Sequence, residues 1–439
     1  MILRSIRLPA LWLCLSTMSC LLAGNANSAA LACGSGCTAI THARIYPAPD
    51  ADPLLDGTVL IKRGRIVAVG QTGDFELTAQ AQVIDATGLT LTAGFQNSHV
   101  HFTAPQWQGA RTQPAVQLDQ QLREMLTGFG FTAVVDLASD LGNTSDLRRR
   151  INSDEVAGPN ILTVGWALYP PDGIPFYVRL DTAPEDLARL KTPRTPSEAA
   201  RDVIDDVRGG ADAIKLFTGS IVSRTEVKPM PRDIAIAAAA EAHRLGKRVV
   251  SHATNVEGLD VALAAKVDIL AHALERTNGL TPEHIDRMLR ARMGLIPTLN
   301  LFKEHGDLAT ILKMVGDYSR GGGEILFGTD VGNLPGYDPT DEYRLMVRAG
   351  LDYRQILASL TTAPARRFDL RNQGRVAPGM QADLVLLNGD PAVDVGYFGA
   401  VRYTLRKGKI IFTSGVATKR ARALKLAVND CRQWCKLKK

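Results

Sequence analysis

Residues 93–102 read AGFQNSHVHF, with His99 and His101 two positions apart at the end of an apolar run. The preceding stretch, QVIDATGLTLTAGF (82–95), is rich in β-branched residues and broken by a turn signal. It predicts strand, turn, strand. On a strand, residues i and i+2 share a face, so both imidazoles project side by side from one strand end. A solvated pair has that spacing, and so does a metal site, for which neutral imidazole is a favoured ligand. The rest of the chain has to decide between them.

Downstream, short apolar runs alternate with helical periods. The strand candidates are TAVVDL (132–137), ILTVG (161–165), DAIKLF (212–217), KRVVSH (247–252), DILAHA (268–273), GLIPTL (294–299) and EILFGTD (324–330). PRDIAIAAAAEAHRLG and NVEGLDVALAAK supply helices between them. Strands that alternate with helices predict a parallel sheet. With the strand before His99, eight candidates fit an α/β fold: a distorted (β/α)8 TIM barrel over residues 94–370. Residues 38–93 and 371–415 have a different texture of short strands and turns. They predict a small composite β-sandwich formed by both chain ends, into which the barrel is inserted.

On this frame the chemistry-bearing residues fall at strand ends. His99 and His101 end the first strand, Lys215 lies inside the fourth, His252 ends the fifth, His272 the sixth and Asp330 the eighth. In such barrels the C-terminal strand ends carry the chemistry, so these residues converge on one rim. Taken singly, each has a plainer reading: a core histidine, a lysine that snorkels outward, an aspartate that caps a helix. Coincidence at five strands is a poor explanation, and the metal reading prevails. His42, His243, His284 and His305 lie off this pattern and read as structural or solvated.

The chain has 439 residues, 45% hydrophobic and 22% charged, with a formal net charge of +6. This is ordinary globular composition with room for a large core. Arg4 and Arg7 precede LPALWLCLSTMSCLLAG, and small residues follow in NANSAALA. That order predicts a signal peptide over residues 1–30 and an exported protein, periplasmic or secreted, with no transmembrane segment after processing. Residues 416–439 form a basic tail. No basic-aromatic pattern points to nucleic acid. Beyond Cys14 and Cys20 in the leader, cysteines stand as CGSGC (Cys33, Cys37) and CRQWC (Cys431, Cys435). A four-cysteine zinc site is conceivable, but export favours disulfides. Three pairings are open, with a slight preference for bonds between the two ends.

Taken together, HVH, DAIKLF, VVSHATNVEGLDVAL, VDILAHA, IPTL, ILFGTDVG and GRVAPGMQADLVLLNGDP resemble the metal-dependent amidohydrolase superfamily. The resemblance is greatest to its imidazolonepropionase and Xaa-Pro dipeptidase-like bacterial members, and it covers about residues 38–415. It implies two divalent ions, zinc foremost. His99 and His101 would hold one, His252 and His272 the other, and a carboxylated Lys215 would bridge them. Asp330 would be both ligand and proton shuttle. A lysine in a low-dielectric strand is disposed to be neutral, as carbamate formation requires. One departure stands out: Asn97 occupies the position where the family motif carries aspartate.

The implied reaction is hydrolysis of a C–N bond, in an amide, cyclic amide or peptide, by a metal-bound hydroxide. Two other readings remain open: a mononuclear imidazolonepropionase-like or lactone hydrolase, and a catalytically inactive secreted binding protein. Rim loops with Trp107, Tyr169 and Arg224 are candidates for contact with a small-molecule substrate, since aromatics plus cations suit an apolar group bearing a carboxylate. A homo-oligomer is compatible with the sequence.

Overall fold

The structure is a computed structural model and describes residues 32–304, 307–334 and 336–415. The expected leader, the basic tail, Cys431, Cys435 and His305 lie outside the described residues. In chain order the strands used below are Cys37–Ile45 (β1), Leu54–Lys62 (β2), Arg65–Gln71 (β3), Gln82–Asp85 (β4) and Thr90–Ala93 (β5). Next come Phe95–Val100 (β6), Phe131–Asp136 (β7), Asn160–Thr163 (β8), Ala213–Phe217 (β9), Arg248–His252 (β10), Ile269–Ala271 (β11) and Gly294–Ile296 (β12). Leu384–Leu387 (β13), Val401–Arg406 (β14) and Lys409–Thr413 (β15) follow.

This is a mixed α/β fold. β6, β7 and β8 form one parallel ladder, and β9, β10, β11 and β12 another. Every residue of β6, β7 and β9 is buried, as expected of parallel strands covered on both faces. Helices connect them, and local chemistry sets their ends. Pro196–Gly209 (α1) starts at Thr195, whose side chain accepts from Glu198 N, with proline at its first position, and stops at Gly210 with φ +101°. Arg232–Arg244 (α2) leads from β9 to β10. Val256–Ala264 (α3) leads from β10 to β11 and is capped by Asn255. Pro282–Arg290 (α4) opens with a capping box between Thr281 and His284.

The expected strand at 324–330 takes a different form. It makes no ladder, only single parallel bridges: Ile325 to Leu295, and Val331 to Val100. Leu326 N donates to Leu295 O, and Ser98 N donates to Phe327 O. The backbone explains the interruption. Asp330 has φ +57°, off the extended region. Gly328 sits so near β6 that an added Cβ would come within 2.9 Å of His99 Cβ.

Both ends of the described chain meet in one eight-stranded sheet, ordered β15-β14-β13-β5-β1-β2-β3, with β4 paired to β1. β5 pairs antiparallel with β13, Leu91 opposite Leu386, and parallel with β1. Cys33 and Cys37 are disulfide-bonded to each other. This corrects the preference for a bond between the ends. The CGSGC turn, with Gly36 at φ +70°, brings the two Cα atoms to 5.5 Å, within disulfide reach. Among the described residues no helix is long and apolar enough to cross a membrane.

Candidate metal centre

Strand alternation does what the HVH spacing requires. His99 and His101 leave β6 on one face, and their Nε2 atoms stand 3.1 Å apart. Asp330 reaches them from the segment that bridges to β6, with Oδ1 2.9 Å from His101 Nε2 and 3.4 Å from His99 Nε2. His272 follows β11 directly, its ring centroid 4.5 Å from that of His99. His252 ends β10, 4.8 Å from His272 by centroid. Potential ligand atoms of His99, His272 and Asp330 all lie within 4.8 Å of one another. Lys215 lies on β9, with Nζ 5.7 Å from the centroid of Phe217, whose ring stacks on His252 at 4.6 Å. All six side chains are buried.

Burial sets the charge states. Desolvation pushes the Lys215 ammonium down to about 7, opposed by Asp330. Desolvation, then Lys215, push His252 down to about 3. His99 is pushed well below the ordinary histidine range by burial, Lys215 and neighbouring imidazoles, and His272 by burial, His252 and Lys215. These imidazoles are therefore neutral and keep a lone pair each.

The donor set fits a cation. His101 Nδ1 faces the carbonyl of Ala138 at 3.0 Å, and a carbonyl can only accept, so its proton sits there. His101 Nε2 then faces a carboxylate oxygen at 2.9 Å and a second imidazole nitrogen at 3.1 Å. His99 Nδ1 is buried with no hydrogen-bond partner. Lone pairs that converge this closely repel unless positive charge lies among them.

Other supports were not evident in the sequence. Asn97, fully buried, accepts from His99 N (3.1 Å) and Thr329 N (3.3 Å) and donates to Thr329 Oγ1 (2.8 Å). It thereby ties β6 to the segment that bears Asp330. Asp136, at the end of β7, is a buried carboxylate that accepts from the hydroxyls of Ser139, Thr144 and Thr163. Thr254 and Thr298 touch His252 and His272. Their neighbourhood was hidden because it depends on left-handed backbone, which hydropathy does not encode.

The rim candidates fall at different depths. Trp107 is wholly buried, edge-on to Phe102 at 5.0 Å. Tyr169 is buried 4.7 Å from the Phe217 ring, one aromatic layer from His252. Arg224 is exposed in the turn of the hairpin Gly219–Ile221 to Val227–Pro229. Tyr177, which sequence reading did not single out, lies close enough for the Asp330 charge to help raise its phenol pKa, after burial and Tyr169. His42 pairs with Asp56, His243 with Asp268, and His284 caps α4, all away from the centre.

A sequence profile of the amidohydrolase family matches residues 90–411. An adenine deaminase of Deinococcus deserti is 27% identical over 347 residues, covering 77% of this chain and 54% of the deaminase. The chain thus spans about half the length of that relative. An allantoinase of Solibacter usitatus is 24% identical over 444 residues, covering 82% of this chain and 91% of the allantoinase. Among solved structures, a Xaa-Pro dipeptidase with bound methionine superposes with a TM-score of 0.72 at 21% identity, covering 86% of this chain and all of that one. Molinate hydrolase gives 0.73 at 19% identity, with 87% and 96% covered. These structural likenesses concern the fold.

Proposed function

The chain belongs to the amidohydrolase family, and from that premise we propose that it hydrolyses a C–N bond in an amide, cyclic amide or peptide-like small molecule with divalent metal. The observation that carries this reading is the convergence of His99, His101, His272 and Asp330 through atoms that bear lone pairs. In this reading His99 and His101 would hold one ion and His252 and His272 the other, with Asp330 as a further ligand. Lys215, if carboxylated, would serve both ions, and zinc is the first metal to test. When bound, the ions supply Lewis acidity toward a substrate carbonyl and lower the pKa of water to about 7.

The chain's own groups supply the rest. The close contacts of Asp330 run through Oδ1, to His101, His99 and Asn333. Oδ2 is the oxygen we assign to take a proton from the attacking water and return it to the leaving nitrogen. Lys215, disposed by burial to be neutral, has the free amine that reaction with carbon dioxide needs. Asn97 holds His99 and the Asp330 segment in register. Tyr169, Phe217 and Tyr177 favour a substrate with an apolar or aromatic group, and Arg224 one with a carboxylate.

The bridges at 325 and 331 support an architecture in which the two parallel ladders close into one eight-stranded barrel over 94–370. On that reading the terminal sheet is a two-part sandwich from 38–93 and 371–415, and the enzyme is exported. The test is metal analysis plus a screen of zinc-loaded enzyme on N-acyl amino acids, dipeptides, cyclic amides and lactones. Two metals per chain with turnover of a C–N substrate is the expected result. One metal would favour the mononuclear reading, and none with no turnover would favour the binding protein.

A further inference from the structure

Two threonines sit beside the two outer histidines in matching arrangements. Thr254 Oγ1 lies 3.0 Å from His252 Nε2 and donates to Gly219 O at 2.8 Å. Thr298 Oγ1 lies 2.6 Å from His272 Nδ1 and donates to Pro297 O at 2.8 Å. Both side chains are almost wholly buried. Both backbones are left-handed, with φ +61° at Thr254 and +45° at Thr298. A β-branched residue is costly there, so the local fold holds each one in place. The turn at Ala253 packs so tightly on Gly219 that a Cβ at Gly219 would lie 2.0 Å from Ala253 O. The turn after Thr298 is gripped by Glu342, whose carboxylate accepts from Leu299 N at 2.8 Å and Asn300 N at 2.7 Å.

A hydroxyl has one proton to give. In each threonine a backbone carbonyl, which can only accept, lies within reach of that proton, and donation there satisfies both contacts because the oxygen then accepts from the imidazole. We infer that Thr254 and Thr298 are positioning residues that set the tautomers of the two histidines. His252 is protonated on Nε2 and His272 on Nδ1. That leaves Nδ1 of His252 and Nε2 of His272 as the nitrogens free to bind a cation. The two rings present opposite nitrogens because their threonines meet them on opposite edges. The significance for metal binding rests on the proposed function; the tautomers themselves do not.

The experiment uses protein with ¹⁵N-labelled histidine and reads imidazole nitrogen shifts in metal-free wild type. Zinc affinity is then measured by chelator competition. His252 is expected to carry its proton on Nε2 and His272 on Nδ1. Thr254→Val and Thr298→Val keep the β-branch and lose the hydroxyl; Thr254→Gly and Thr298→Gly also relieve the backbone. All four are expected to show mixed tautomers and roughly 10–100-fold weaker zinc binding. Thr254→Ser and Thr298→Ser should remain near wild type. Opposite tautomers in the folded wild type would overturn the inference even if no variant folds. So would glycine variants that fold and keep both tautomers and zinc affinity. A wild type with the expected tautomers that binds no zinc would sink the proposed function and leave the tautomer assignment standing.

Discussion

His101 points one ring nitrogen at the Ala138 carbonyl and the other, 2.9 Å away, at the carboxylate of Asp330. β6 and the segment after Gly328 thus meet in one pair of side chains, and under the proposed function Asp330 is the group that moves the proton. Asp330→Asn keeps the shape and removes the base. Turnover of any hit from the substrate screen should fall by about 10²–10⁴-fold, with KM little changed. Steady-state kinetics at matched metal content checks this. Turnover near wild type would show that another group carries the proton.

Lys215 should act against stability and for function. Its burial on β9 pushes the ammonium down to about 7, so the folded state bears a desolvation cost. Lys215→Met is expected to melt at the same temperature or higher and to be inactive. Lys215→Ala should also be inactive and partly recover with added short-chain carboxylic acids. An active Lys215→Met enzyme would rule out the bridging role.

Asp206, on α1, gives the fold a pH dependence of definite sign. It bonds to Lys191 Nζ at 2.7 Å, yet burial pushes its carboxyl from 3.8 up to about 6. Below about pH 4 the group is protonated in both folded and unfolded chains. Between about 4 and 6 only the folded chain keeps the proton, so its stabilising contribution is lost as pH rises through that window. Urea unfolding at pH 4, 5 and 6 should show wild type losing at most roughly 3 kcal/mol relative to Asp206→Asn. Parallel profiles for the two proteins would refute the assignment.

Asn97 separates geometry from charge. Asn97→Ala strands the groups it now satisfies and should cost about 2–4 kcal/mol. Asn97→Asp keeps the acceptor, and the Thr329 hydroxyl can turn to donate. It should remain close to wild type in stability and bind zinc more tightly because of the added negative charge. Chemical denaturation and chelator competition read the two effects separately. Weaker zinc binding by a folded Asn97→Asp would contradict the electrostatic argument.

What was legible in the sequence is what side-chain period encodes. Alternation placed His99 and His101 on one face, and the ends of apolar runs placed Lys215, His252 and His272 correctly on or beside their strands. Asp330 was legible as a residue and not as a strand end, because the ladder fails at Gly328 and at its own positive φ. Thr254 and Thr298 were invisible for the same reason. Trp107 looked like a rim residue because its loop is polar. The short turn Pro105–Trp107 folds the indole back onto Phe102. The Cys33–Cys37 bond could not be selected from three pairings by spacing.

The pairing of Leu91 with Leu386 also bears on how the chain is made. β5 leaves the ribosome long before β13 exists. At about 5–20 residues per second, roughly 15–60 s pass before its partner strand is translated. Until then one edge of β5 is unpaired and open to mispairing. Completion of this sheet therefore waits for the strands between Leu384 and Thr413. Stalled nascent chains ending before Leu384 should be cut by protease within residues 37–93, and chains extended past Thr413 should resist.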